Sequence, residues 1–125
     1  MVRTALTSLL KTRERDAVAD DMETAFTHGA IGTDSTTPTA GDTALGGEVL
    51  RDAIDSFSNP GTGIVTASLR VTATEANGNS IAEYGWLSAA SVGSLWVRNA
   101  ITPITKTSDI QVFLDSQIEI TVEET

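Results

Sequence analysis

Few residues in this chain are of a type that does chemistry, and their spacing limits them further. The single histidine, His28, sits between Thr27 and Gly29, with no neighbouring pattern that would activate a nucleophile. A lone histidine in such a setting reads as structural. Serines and threonines are plentiful, yet no Gly-x-Ser-x-Gly elbow occurs to expose a nucleophilic hydroxyl. Gly46-Gly47 lacks the Lys-Ser/Thr ending that lets a glycine loop cradle phosphate. Cysteine is absent, which removes thiol nucleophiles, thiolate metal sites and disulfides.

Carboxylates and aromatics are what remain. Asp34, Asp42, Asp52 and Asp55 fall near expected loops, and Glu75, Asn77 and Asn79 gather around an expected turn. Calcium is the ion such hard oxygens suit, but it needs about six to eight of them converging on one point. Neither group has the ordered spacing of an EF-hand, so both read as solvated surface. Glycoside hydrolysis would need two carboxylates about 5–10 Å apart across a cleft. Glu48 and Glu83 are candidates only because they fall inside blocks that carry a family resemblance, and Arg51 and Arg98 stand in the same blocks. Acid–base pairing across strands, which sets register, is the reading we prefer. Tyr84, Trp86 and Trp96 could stack on sugar faces; packing in a subunit interface suits the two tryptophans better. No catalytic, cofactor or metal-binding residue is assigned.

The elements that must position these residues are mostly strands. Residues 2 to about 21 read as a helix, because Val2, Leu6, Leu9 and Leu10 recur at three- and four-residue steps. Ala17, Val18 and Met22 continue that stripe beyond the charged run Lys11 to Asp16. The stripe is narrow, so residues 1–22 are expected to serve attachment or oligomerisation, and 23–125 to form the β domain. Ala25 to Ile31 reads as a strand ending at Gly32, followed by a turn-rich loop from Asp34 to Gly41. Asp42 is placed to cap a single helical turn, and Val49 to about Phe57 reads as one strand.

Alternation is clearest from Ile64 to Thr74, where Val65, Ala67, Leu69, Val71 and Ala73 share a face. Asn77-Gly78 predicts a two-residue hairpin turn into a partner strand, Ser80 to Leu87. Ser94 to Ile101 is a further strand, which Pro103 ends or confines to an edge. Ile110 to Val122 alternates over roughly 40 Å, and Ser116 in its inward phase predicts a bend or bulge. The chain is therefore expected to be mainly β, an antiparallel sandwich or open barrel with an N-terminal α-helix.

Seventeen acids face eight bases, giving a formal net charge of −9. That balance argues against nucleic acid, whose phosphates need a basic footprint. No apolar run approaches the roughly 18 residues of a membrane span. Leu6, Leu9 and Leu10 are too interrupted for a secretory core, and no Asn-x-Ser/Thr sequon occurs. The only lysines are Lys11 and Lys106. An acidic, lysine-poor, threonine-rich chain points to a saline cytoplasm, where screening to about 3 Å at 1 M salt relieves self-repulsion.

Several blocks, taken in order, carry a resemblance. Ile31 to Leu45 is a Gly-Thr/Ser-rich lead with a proline and an Asp42-Thr43-Ala44-Leu45 corner, and Glu48-Val49-Leu50-Arg51 follows it. Next come Ile81-Ala82-Glu83-Tyr84-Gly85-Trp86-Leu87, Leu95-Trp96-Val97-Arg98, and Ile101 through Pro103 to Lys106-Thr107. Together they resemble the small structural β-modules of tailed viruses, although Trp86 separates a Gly and Leu that are adjacent in that family. The resemblance implies virion building material, with no chemistry and no cofactor. The expectation is a multi-copy subunit of a haloarchaeal virus, in tail fibre, baseplate or a capsid surface projection. Its partners would be other virion proteins, further copies of itself and a host surface glycan. Leu6, Leu9, Leu10, Glu48, Arg51, Glu83, Trp86, Trp96, Arg98 and Lys106 are the expected structural or interface residues. The rival expectation is a carbohydrate-binding module or adhesin.

The charge balance makes a direct prediction. The thermal midpoint should rise as salt goes from millimolar to molar, because screening relieves the repulsion among surplus carboxylates. A midpoint that stays flat or falls would contradict a saline origin.

Overall fold

Helical spacing gives way to alternation after about the first fifth of the chain, and the computed structural model, which describes residues 7–123, has its one helix before its strands. Val2 and Leu6 lie outside the described residues. Helix α1 runs Ser8–Ala25, with the Leu10 N–H donating to the Thr7 side chain at 3.3 Å as N-cap. It ends where the Phe26 N–H donates to the Met22 carbonyl at 2.8 Å. Seven strands follow: β1 His28–Gly32, β2 Glu48–Ala53, β3 Ser56–Ser58, β4 Ile64–Val71, β5 Ser80–Leu87, β6 Leu95–Thr105 and β7 Val112–Glu119. They form two antiparallel sheets, ordered β2-β1-β5-β6 and β3-β4-β7. The protein is a β-sandwich with an N-terminal helix.

The helix is not the appendage its narrow stripe suggests. Ala19, Met22 and Phe26, spaced three and four apart, are buried in one core with Ile31, Val65, Leu69, Val71, Trp86 and Leu114 of both sheets. The Phe26 ring meets Phe57 edge-on at 5.5 Å and Trp96 at 5.9 Å. Polar contacts fix the outer side of the helix. Asn59 donates to Asp20 and Glu23 at 3.0 and 3.1 Å, and Arg15 donates to the Gly61 carbonyl at 3.1 Å. The division at residue 22 is therefore corrected: helix and sandwich share a core, and Ala25 and Phe26 belong to the helix end. Leu9 and Leu10 stay outside that core, 63% and 41% exposed.

Three further expectations give way to long-range pairing. The strand expected over Val49 to Phe57 breaks at Ile54-Asp55, where the chain changes sheets. There the Ile54 N–H donates to Thr27, while the Asp55 N–H donates to Ser68 on β4. The Asn77-Gly78 hairpin does not form, because β4 pairs with β3 and β7 whereas β5 pairs with β1 and β6. Residues 72–79 instead cross between the sheets, with Ala76 and Gly78 at φ of 56° and 87°. Ser116 causes no bulge: β7 pairs with β4 in unbroken register, and Ser116 points inward toward Tyr84 and Asn99, each at 3.4 Å. Partners for the hydroxyl make a bend unnecessary. Pro103 is accommodated in β6, an edge strand, where the register against β5 slips.

Truncating a core side chain from the helix end should separate the two views of α1. Phe26→Ala should cost about 3–5 kcal/mol in urea unfolding, as for other buried phenylalanines. Leu9→Ala should change stability by less than about 0.5 kcal/mol. Equal, small effects at both positions would return the helix to an appendage.

Candidate functional site

The pairing register lays the singled-out charges across the outer face of the larger sheet. Arg51 of β2 stands opposite Ala30 of β1, Ala30 opposite Gly85 of β5, and Gly85 opposite Arg98 of β6. The next row runs Glu48, Gly32, Glu83 and Ala100. Cβ atoms on opposed residues point to one side, so two acid–base pairs flank a floor of alanine and glycine. The floor must be small. A Cβ on Gly32 would collide with the Glu83 carboxylate, and one on Gly85 would come within 2.6 Å of the Val97 carbonyl. Leu45 settles on this floor with Ala30, Leu87 and Leu95, so the 33–47 loop forms a third layer over the sheet.

Glu83 has no exposed side-chain surface, and Arg98 beside it is almost as deeply buried. Each carboxylate oxygen of Glu83 takes two donors. Oε1 accepts from Gly46 N at 2.9 Å and Arg98 Nε at 2.9 Å. Oε2 accepts from Asp34 N at 3.0 Å and Gly47 N at 2.8 Å. Burial alone would push this carboxyl up; Arg98 and the three amides outweigh it and hold it below its ordinary range. Arg98 extends the network, with Nη1 3.1 Å from Asp42 Oδ2 and Nη2 3.9 Å from Asp34 Oδ2. The hydrogen bond and charge of Glu83, followed by those of Asp42, outweigh burial and raise the guanidinium above its ordinary value.

Both loop aspartates are shaped locally first. Asp34 Oδ1 accepts from Thr36 N and Oγ1 at 2.9 and 2.6 Å, and Asp42 accepts from Thr39 N and Oγ1, both at 3.0 Å. These threonine bonds are the main reason both carboxyls sit below their ordinary range. Asp42 caps no helical turn; it closes the loop onto Arg98 instead. Reading Asp34 and Asp42 as solvated surface missed this. The Asp-x-Thr and Thr-x-x-Asp spacings were the available signal, since such side chains bond backbone two or three residues away.

The other singled-out residues also act internally. Arg51 makes a bidentate pair with Glu48 within β2, at 2.6 and 3.2 Å, and donates to the carbonyls of Ala89 and Val92. Lys106 is fully buried, its ammonium donating to Ala73 O, Asn77 Oδ1 and Thr107 O at 3.3, 2.8 and 2.9 Å. It thereby holds the 72–79 crossover. Trp86 is buried over Gly29 and meets Tyr84 edge-on, so it is a core residue rather than interface or platform. Trp96 is the unpaired residue of a bulge between Val97 and Leu95, which turns it toward Phe26 while leaving it partly exposed. The His28 ring bonds the Thr27 hydroxyl, through Nδ1 at 2.8 Å. Among the described residues no group of three acids or histidines is placed to hold a metal.

A separate carboxylate pair links β2 to the crossover. A hydrogen bond with Glu75, reinforced by burial and by the charges of Glu75 and Asp55, pushes Asp52 up to about 6. The same bond holds Glu75 below its ordinary range. No protein-family model matches this chain, and a search of curated proteins finds no match either.

The pH dependence of stability follows with opposite signs on its two sides. Glu83, Asp34 and Asp42 have lowered folded pKa values, so their stabilisation is present above the ordinary carboxylate range and lost as pH falls below it. Asp52 is raised from 3.8 to about 6, so its ionisation costs stability as pH rises through that window. Chemical unfolding at stepped pH should give maximal stability near about pH 4.5 and a decline from there to about pH 6, with Asp52→Asn flattening that decline. Glu83→Gln should cost about 3–5 kcal/mol, because buried Arg98 loses its shortest ion pair and the amide nitrogen faces backbone donors where an acceptor stood. A Glu83→Gln chain as stable as wild type would refute the clamp.

Proposed function

We propose that this chain is a non-catalytic structural subunit of a tailed virus from a saline host, working in several copies through assembly. One observation carries the reading: every acceptor position of Glu83 that a substrate would need is filled by the protein's own Asp34, Gly46, Gly47 and Arg98. The blocks on which the viral resemblance rests, Asp42 to Leu45, Glu48 to Arg51, Glu83 and Arg98, are the parts that make this clamp and its covering loop. They specify a shape rather than a reaction.

Two features support contact with neighbours. Leu9, Leu10 and Val18 leave apolar surface on the helix outside the shared core. Strands β2, β6, β3 and β7 each end a sheet, and β6 presents eleven residues of edge. No described helix is long and apolar enough to cross a membrane. Location in a tail fibre, a baseplate or a capsid projection belongs to the same proposal.

Sedimentation velocity at molar salt should find the recombinant chain in a discrete oligomer, and mass spectrometry should find it in purified particles at a stoichiometry shared with other virion proteins. A strictly monomeric chain that is absent from particles would contradict the proposal.

A further inference from the structure

The outer face of the smaller sheet carries a feature that the clamp does not use. Ser68 and Arg70 of β4 stand directly opposite Asp115 and Phe113 of β7, and alternation turns all four away from the core residues Leu69 and Leu114. Asp55 joins them from the β2–β3 turn, where it accepts the Arg70 backbone N–H. Together these residues line an open groove of about 240 Å³. Phe113 is 66% exposed at its centre, whereas Phe26 and Trp86 are buried and Phe57 is half-buried.

We propose that this groove binds a neutral sugar ring, a pyranose unit of a glycan, with the ring's C–H face on Phe113 and its hydroxyls on Asp55, Asp115 and Arg70. The polar groups are arranged for a ligand that both donates and accepts. Asp115 Oδ1 takes the Ser68 hydroxyl at 2.6 Å, and no described residue donates to its second oxygen. The Arg70 guanidinium has no hydrogen-bond or ion-pair partner among the described residues, although two carboxylates line the same groove. A hydroxyl-rich ring can satisfy both kinds of group while its apolar face covers the aromatic. Two carboxylates against one guanidinium leave an acidic balance that disfavours phosphate or carboxylate ligands. The volume lies below the roughly 300–1,000 Å³ of drug-sized sites, which suits a single ring.

This site is independent of the assembly proposal and lies on the other sheet. It also differs from the aromatic set Tyr84, Trp86 and Trp96 considered from sequence, of which Trp86 is buried and Trp96 leans on Phe26.

The test is an NMR titration of the full chain at molar salt with the methyl glycosides of glucose, galactose, mannose and N-acetylglucosamine. At least one should give saturable shifts at the amides of Arg70, Phe113 and Asp115. Phe113→Ala and Asp115→Asn should each weaken that binding about tenfold, and Phe113→Trp should keep it. Phe113 is exposed, so its alanine variant should retain the wild-type circular dichroism spectrum. The proposal is overturned if none of these glycosides shifts the groove, if the shifts map elsewhere, or if Phe113→Ala binds as wild type does. It is equally overturned if Phe113→Ala abolishes self-association while no glycoside binds, since the groove is then a protein contact.

Discussion

A carboxylate without exposed surface governs one whole face of this protein. Removing such an ion from water costs several kcal/mol, and the cost is offset only when every lone pair finds a good donor. Glu83 meets that condition with two donors on each oxygen. Three of the donors are backbone amides, so the charge fixes the path of the chain at Asp34, Gly46 and Gly47 directly. The requirement for small residues follows. A Cβ at Gly46 would collide with Asp34, and one at Gly32 with Glu83 itself. What the 33–47 loop lacks in regular structure is replaced by a charge it surrounds.

The same device recurs with different residues. Arg98 holds Asp34 and Asp42, Arg51 holds the carbonyls of Ala89 and Val92, and Lys106 holds Ala73 and Asn77. Three of the chain's eight bases are thus anchors for loops and crossovers. Each is satisfied in a way its chemistry favours: the guanidiniums by planar, multi-point contacts and the ammonium by three separate acceptors. Two of these bases, Arg51 and Arg98, also face Glu48, Glu83, Asp34 and Asp42, so the order of the loops and the neutralisation of these carboxylates are linked.

What the sequence makes legible is what local pattern determines. The alternation from Ile64 to Val71 appears as β4, and Ser80 to Leu87 as β5. The mainly antiparallel architecture follows from many such short runs. Errors arose where distant partners override local preference. Asn77-Gly78 has hairpin chemistry, but β4 finds its partner in β7, some forty residues on, and the turn becomes a crossover held by Lys106. Ile54-Asp55 looks like mid-strand and is the point where the chain changes sheets. The burial of Glu83 and Lys106 runs against the ordinary tendency of charged residues to stay exposed. Only the ordered blocks around them hinted at it, by placing acid, base and glycine where the folded chain brings them together.

Amide hydrogen exchange is the most direct measure of whether Glu83 organises this face. The amides of Asp34, Gly46 and Gly47 lie in a loop with no ladder of its own, so without the carboxylate they would exchange as fast as exposed loop positions such as Gly41. The account predicts protection at those three amides comparable to that of β1 and β5 in the wild-type chain at neutral pH. Fast exchange at all three, with the sheet protected, would contradict it.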